Sequence, residues 1–136
     1  GDIGKEDEPE GIGRVSDLEI PMTLRECCED VKDAFHLGAV KVFGNLEGKV
    51  KRIAICPGSG KSVIQAALDK HADVLITGDI GHHEGIDAVA QGLAIIDGGH
   101  YGIEHIFIED MRQYLEKNLK DVEVIAAPII HPFLLV

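Results

Sequence analysis

The stretch DVLITGDIGHHEGIDAVAQGLAIIDGGHYGIE, residues 73–104, decides the fold class. It contains two short apolar runs, DVLIT (73–77) and LAIID (93–97), in which β-branched residues are common. Between them lies EGIDAVAQG (84–92), which has the composition and spacing of a helix. Strands that alternate with helices predict an α/β fold: a layered, mostly parallel or mixed sheet with helices on both faces.

The flanking sequence extends this alternation in both directions. Thr23 and Glu26 match the reciprocal capping pair of a helix, and apolar residues then recur at three- and four-residue intervals up to a helix end before Gly38. The stretch GIGRVSDLEI (11–20) predicts a short edge strand because its apolar residues alternate imperfectly with polar ones. The remaining predicted elements are strands at AVKVF (39–43), VKRIAIC (50–56) and VEVIA (122–126), and helices at SVIQAALDKH (62–71) and about 99–119.

Length and charge limit the classes of protein to consider. The 136 residues fit one domain, and 24 acidic against 13 basic residues give a formal net charge of −11. An acidic surface repels phosphate, so nucleic acid and anionic membranes are not expected partners. Residues 1–10 are acidic and lack an apolar face, which predicts a flexible tail or severed linker before an α/β domain spanning residues 11–136.

The cysteines favour a cytoplasmic location. Cys27, Cys28 and Cys56 are too few for the paired framework of a small secreted domain, and they lack the spacing of a metal or redox clip. Cys27 and Cys28 lie on the apolar side of their predicted helix, as buried structural thiols do. No apolar run approaches the ~20 residues that span a bilayer, and the acidic start does not resemble a signal peptide.

The segment PGSGKS (57–62) lies between a strand and a helix, where backbone amides can bind phosphate. A Walker A loop requires glycine five positions before the glycine of Gly-Lys-Ser, and Ile55 stands there. A tight turn whose serine caps the helix is the favoured interpretation, and a looser contact with one substrate phosphate stays open.

Asp79, His82, His83 and Glu84 follow the strand DVLIT directly. Ligands bind at the carboxyl ends of strands in open α/β sheets, so this position favours a functional role. The structural alternative is that Asp79 caps the next helix, with the two adjacent histidines pointing in different directions.

The strongest candidate site is GGHYGIE (98–104), which follows a strand and begins a helix. At about 100° per residue, His100 and Glu104 lie about 40° apart on one helical face, a spacing suited to two ligands of one metal ion. They share that face with the apolar Ile103, Phe107 and Met111, so the carboxylate points inward and requires a partner. A metal ion would satisfy both groups, and so would a hydrogen bond between Glu104 and His100; the spacing alone does not choose.

The ordered motifs GIGRVSDL, RIAICPGSG, ADVLITGDIGHHEGIDA and LAIIDGGHYGIE resemble the C-terminal half of the Nif-three-like proteins. This dinuclear metal-binding family is often labelled GTP cyclohydrolase I type-two homologues. The resemblance extends over nearly the whole chain after the acidic tail. It implies a toroidal homohexamer with a two-metal centre facing an internal cavity.

The resemblance also implies roles for particular residues. The family's GHYxxE motif supplies two ligands, which map onto His100 and Glu104, to divalent ions that Zn, Mn or Fe would suit about equally. The family's other ligands belong to an N-terminal half that this chain lacks. Asp79 and His83 match polar positions near the cavity and become the candidate proton carriers.

Two functions of different classes follow from these observations. In the first, the chain is the C-terminal part of a metal-dependent hydrolase acting on a nucleotide-like substrate, and by itself it binds one ion weakly and is inactive. In the second, it is a non-catalytic metal-binding module for oligomerisation or protein interaction.

Overall fold

The computed structural model describes residues 12–56, 61–99 and 119–126. Six strands and three helices lie within these ranges. The strands are β1 (Ile12–Thr23), β2 (Lys41–Phe43), β3 (Lys49–Ile55), β4 (Val74–Thr77), β5 (Ala94–Asp97) and β6 (Leu119–Ala126). The helices are α1 (Leu24–Phe35), α2 (Lys61–Asp69) and α3 (His82–Ala90).

The strands form one mixed sheet in the order β2-β5-β4-β3-β1-β6. Strand β4 pairs in parallel with β3 and with β5, because helices α2 and α3 provide the crossovers that parallel neighbours require. The pairs β1–β3, β1–β6 and β2–β5 are antiparallel. The α/β class predicted from residues 73–104 is confirmed, and of the two predicted sheet types the mixed one is present.

Each face of the sheet carries its own apolar core. On one face, α1 packs through Leu24, Cys27, Val31 and Phe35 against strand residues that include Ile53 and Ile76. On the other face, α2 and α3 contribute Val63, Ile64, Ala67 and Ala88 to a core that includes Leu75 and Ile95. Strand β4 contributes to both cores because successive side chains of a strand point to opposite faces. Val74 and Ile76 lie in the first core, and Leu75 between them lies in the second.

Helix α1 begins as its capping pair predicts. The Thr23 hydroxyl accepts a hydrogen bond from the Glu26 amide at 3.1 Å, and the Glu26 carboxylate accepts one from the Thr23 amide at 2.9 Å. The helix ends at Phe35, and His36 follows in the left-handed conformation with φ of 57°. Local hydrogen bonding therefore determines both ends of this element.

The strand predicted at residues 11–20 is present, but the prediction that it is short and lies at an edge is wrong. Strand β1 has 12 residues and lies between β3 and β6. Its pairing with β3 shifts register between Asp17 and Met22, and its pairing with β6 shifts between Asp17 and Leu18. These irregularities account for the imperfect alternation, which resembled that of an edge strand.

The long helix predicted at about 99–119, the PGSGKS segment before Lys61 and the acidic residues 1–10 lie outside the described residues. Within the described ranges, no helix is both long and apolar enough to cross a bilayer.

Candidate functional site

Two loops leave the sheet side by side at the carboxyl ends of β4 and β5. The strands are parallel neighbours, and Thr77 of β4 pairs with Asp97 of β5. The Gly98 amide donates to the Thr77 carbonyl at 2.9 Å, so the pairing continues past the end of β5. The segment leading to His100 therefore begins next to the loop that carries Asp79, at the edge where open α/β sheets bind ligands.

A buried carboxylate joins these two loops. One oxygen of Asp97, Oδ1, accepts hydrogen bonds from the amides of Asp79 at 2.7 Å and Gly99 at 2.8 Å. The other oxygen, Oδ2, accepts one from the Ile80 amide at 2.9 Å. The Asp97 side chain is only 3% exposed, so these three amides replace the water that the charge would otherwise require.

Lys41 supplies positive charge beside this carboxylate. It stands directly opposite Asp97 in the β2–β5 pairing, and its Nζ lies 3.8 Å from Asp97 Oδ2. The same Nζ is 3.5 Å from the Ile80 carbonyl oxygen and 6.0 Å from the centre of the Phe43 ring. The lysine side chain is largely exposed, so its contribution to the ion pair is screened by solvent.

Asp79 occupies the turn between β4 and α3. Its side chain is exposed and its φ is 62°, in the left-handed region that aspartate enters more readily than most residues. The alternative that Asp79 caps the next helix is wrong, because Gly81 is the N-cap of α3. The Glu84 carboxylate accepts the Gly81 amide at 3.0 Å and performs this capping. Asp79 therefore lies at the carboxyl edge of the sheet with an exposed carboxylate that does not cap the helix.

His83 lies in the first turn of α3, next to His82, and both side chains are exposed. The two imidazole rings meet edge to face with centroids 5.9 Å apart, and the His82 ring lies 6.3 Å from that of Phe43. Helix α3 lies close to β2 because Gly85 has no side chain: a Cβ there would collide with the Phe43 ring. This close packing brings the His82 ring beside the Phe43 ring of β2.

The predicted metal ligands His100 and Glu104 lie outside the described residues. Gly99, the last described residue before them, is held by Asp97 as given above. Among residues 12–56, 61–99 and 119–126, no three His, Cys, Asp or Glu side chains are grouped as a metal site would require. The predicted ligand pair thus stays a prediction.

The cysteines lie in the cores, and the burial predicted for Cys27 and Cys28 is confirmed. Cys27, Cys28 and Cys56 are buried, and no disulfide joins any two of them. Burial is the main reason that the pKa of the Cys27 thiol rises to about 12, with smaller contributions from Cys28 and Asp30. Burial also raises the pKa of the Cys28 thiol. Because the thiolate is the reactive form, Cys27 and Cys28 are unsuited to nucleophilic or metal chemistry.

Sequence reasoning did not identify Asp97 or Lys41. A signal for Asp97 was present, since an aspartate directly after the apolar run LAII lies close to the core, and a buried aspartate requires partners. Its amide partners at Asp79 and Ile80 lie 18 and 17 residues away, and Lys41 lies on a strand from another part of the chain. Local periodicity reveals neither the hydrogen bonds that Asp97 accepts nor its pairing with Lys41.

Comparison with known proteins finds relatives for most of the chain. The family described as Duf34/NIF3 (NGG1p interacting factor 3) matches residues 4–132. The chain belongs to the Duf34/NIF3 family. The family resemblance seen in the stretches ADVLITGDIGHHEGIDA and LAIIDGGHYGIE is thereby confirmed.

Curated relatives share its sequence over most of the chain. A protein of Halalkalibacterium halodurans named GTP cyclohydrolase 1 type 2 homolog is 38% identical over 131 residues, which cover 93% of this chain and 35% of the relative. A protein of the same name from Lactococcus lactis is 46% identical over 110 residues, covering 79% of this chain and 42% of the relative. The chain thus spans well under half the length of these relatives.

Solved structures of the Duf34/NIF3 type share the fold. A Bacillus cereus protein related to NIF3 superposes with a TM-score of 0.66 at 34% identity, over 79% of this chain and 29% of the other. A Staphylococcus aureus hypothetical protein gives a TM-score of 0.64 at 35% identity, over 77% and 35% of the two chains.

Proposed function

We propose that this chain is the C-terminal part of a metal-dependent hydrolase in which His100 and Glu104 form half of a dinuclear site. The observation that supports this most is the junction of two motifs at one sheet edge. The loop that begins at Thr77-Gly78-Asp79, the TGD loop, and the segment that leads into GHYxxE leave adjacent parallel strands and share the Asp97 carboxylate. A site assembled there would receive side chains from both motifs.

The donor atoms of the two predicted ligands suit a divalent ion. An imidazole nitrogen and a carboxylate one helical turn apart match the ligand preferences of Zn, Mn and Fe. They are too few for two ions, and the chain spans only 35% and 42% of two relatives. In this proposal the chain provides half of the metal ligands. Two bound metal ions would supply a nucleophile by lowering the pKa of a bound water molecule.

This chain's own residues would serve proton transfer around that centre. Both side chains are exposed, Asp79 in the turn after β4 and His83 in the first turn of α3, and Asp79 does not cap that helix. A carboxylate and an imidazole are the groups that most often carry protons near neutral pH. We assign them this role, with a nucleotide-like substrate suggested by the relatives' name, GTP cyclohydrolase 1 type 2 homolog.

Metal binding by the variant His100→Ala tests the ligand assignment. Bound Zn or Mn is measured after dialysis, in the chain and in the longer parent protein, with His105→Ala as the matched control. His105 is predicted on the opposite helical face, so its variant should keep the wild-type metal content. His100→Ala should bind at least tenfold more weakly. Equal metal content in the two variants would remove the ligand assignment.

Turnover by the parent protein tests the proton carriers. GTP ring opening is monitored through the loss of guanine absorbance in the variants Asp79→Asn and His83→Gln. The control is His82→Gln, because the exposed His82 ring is the neighbour of the His83 ring. We expect the first two variants to lose about 10²-fold or more in turnover while keeping bound metal. Unchanged turnover in both would remove Asp79 and His83 from the mechanism.

A second function, a non-catalytic assembly module, is favoured by an exposed apolar surface on α3. Ile86 is 49% and Val89 41% exposed. The family's name, NGG1p interacting factor 3, refers to a protein interaction. In this case the chain forms a homo-oligomer, a hexamer by family resemblance, whose geometry depends on metal. Loss of the oligomer on chelation, without turnover of any nucleotide tested, would favour this function over hydrolysis.

A further inference from the structure

Helix α3 exposes an uncharged stripe formed by His82, Ile86 and Val89. These residues follow one another at intervals of four and three, so at about 100° per residue they lie within an arc of about 60°. Ile86 is 49% and Val89 41% exposed, and His82 is exposed as well. The acidic residues of α3, Glu84 and Asp87, lie about 100° or more from Ile86. The stripe therefore has the spacing of a helix–helix contact and contains no carboxylate.

The contacts of Phe43 show where the α3 stripe lies on the molecule. The Phe43 ring is next to Gly85, where a Cβ would collide with it, and its centre is 6.3 Å from that of the His82 ring. Phe43 belongs to β2, the end strand of the sheet, so the stripe lies on the flank of α3 that faces this end. Among the described strands none lies beyond β2, and a second molecule can therefore approach the stripe from that side.

The charge around the stripe favours a second copy of this chain as its partner. The chain has a formal net charge of −11, so two copies repel each other over most of their surfaces. A cation lies beside the stripe: Lys41 Nζ is 6.0 Å from the centre of the Phe43 ring, and the lysine side chain is 59% exposed although Asp97 Oδ2 is 3.8 Å away. An acidic copy is thus attracted to this end of the sheet and meets an uncharged stripe there.

Helix dipoles select the relative orientation of the two copies. The amino end of α3 carries a partial positive charge and its carboxyl end a partial negative charge. An antiparallel pair places each amino end beside the partner's carboxyl end, whereas a parallel pair brings like ends together. A two-fold axis near Ile86 produces the antiparallel pair, in which His82 of one copy faces Val89 of the other.

We propose that α3 packs antiparallel against α3 of a second copy, with the two Ile86 side chains next to the two-fold axis. This inference rests on the second proposed function, self-assembly, to which it adds the contact and its orientation. It requires neither bound metal nor turnover. Two turns of a helix form the centre of an interface and not all of it, since stable interfaces bury about 1,200–2,000 Å². Covalent cross-linking is therefore the direct test.

Single introduced cysteines report the contact by forming disulfides between copies of the 136-residue chain. The native Cys27, Cys28 and Cys56 do not compete, because each is at most 7% exposed. Under mild oxidation Ile86→Cys should form a covalent dimer at least about tenfold faster than Gln91→Cys, because a contact raises the effective concentration of the two thiols. Gln91 is the matched control: it is exposed and uncharged, and it lies about 140° from Ile86 around α3.

A mixture of two variants tests the orientation. His82→Cys mixed with a size-tagged Val89→Cys should form the mixed dimer faster than either variant forms its own dimer. In an antiparallel pair the two His82 positions are about 12 Å apart along the helices, which exceeds the Cβ separation that a disulfide allows. A parallel pair would give the opposite result, with dimers of His82→Cys alone.

Equal cross-linking of Ile86→Cys and Gln91→Cys would overturn the α3 contact, and dimers of like variants in the mixture would overturn its orientation. The same reactions with chelator separate this inference from the function on which it rests. A metal-dependent oligomer without the Ile86→Cys cross-link would overturn the contact and leave the assembly function in place. A cross-link that persists in chelator would support the contact and remove the metal dependence of assembly.

Discussion

Ser16 carries an unpaired hydroxyl inside the sheet. Its side chain is buried on β1, and among the described buried side chains its Oγ has no hydrogen-bond partner. An unsatisfied buried polar group costs about 1–3 kcal/mol, so Ser16→Ala should leave the free energy of unfolding unchanged or increase it by about 1 kcal/mol. Urea denaturation measures this difference.

Thr23, on the same strand, is the control for that substitution. Its hydroxyl accepts the Glu26 amide and begins α1. Thr23→Ala should lower the free energy of unfolding by about 1 kcal/mol because the cap is lost. A loss in Ser16→Ala as large as that in Thr23→Ala would show that the Ser16 hydroxyl has a partner in solution.

Cys27 makes the stability depend on alkaline pH. Burial raises the pKa of its thiol from 9.0 to about 12, so the folded state keeps a proton that the unfolded state releases. The stabilisation is complete below about pH 9 and is lost as pH rises toward 12. Cys27→Ala should therefore show a flatter dependence of the unfolding free energy on pH than wild type. Parallel curves for the two proteins would mean that the thiol is not buried in solution.

At the scale of elements, the contact between α3 and β2 depends on Gly85. A Cβ at this position would collide with the Phe43 ring, so Gly85→Ala should destabilise the protein by about 1–3 kcal/mol. Gly38→Ala is the control because no atom lies within 4 Å of the Cβ position there. Chemical denaturation of both variants measures the difference.

A double-mutant cycle identifies the cause of that loss. Phe43→Leu makes room beside Gly85, so the combined variant Gly85→Ala/Phe43→Leu should be more stable than the sum of the two single changes predicts. Strictly additive effects would show that α3 does not pack on Phe43. The packing also positions His82, whose ring lies 6.3 Å from that of Phe43.

The elements differ in how far the sequence predicted them. Helix α1 was predicted closely, since Thr23 and Glu26 cap it through bonds three residues apart. The inner position of strand β1 was not predicted, because it depends on pairing with β6, about a hundred residues further along the chain. Local patterns report which side chains are buried, whereas neighbours in a sheet are chosen by contacts distant in sequence.

At the scale of the whole molecule, the exposed apolar residues of α3 predict an assembly surface. Ile86→Lys together with Val89→Lys should shift the chain toward monomer in sedimentation velocity, because charge would be buried in the contact. Ile20→Lys is the control: Ile20 is 78% exposed but lies on β1. An unchanged oligomer in the α3 variant, or equal dissociation in the Ile20 variant, would exclude α3 as this surface.

The sequence by itself determined the α/β class, the central strands β3, β4 and β5, the capped helix α1 and the carboxyl-edge location of the TGD loop. These features depend on periodicity and on hydrogen bonds between residues close in the chain. Only the tertiary structure decided that β1 is internal and that Asp97 joins the Asp79 turn to Gly99. The physical reason is that a buried charge is satisfied by whichever amides the completed sheet brings to it, and no local pattern specifies them.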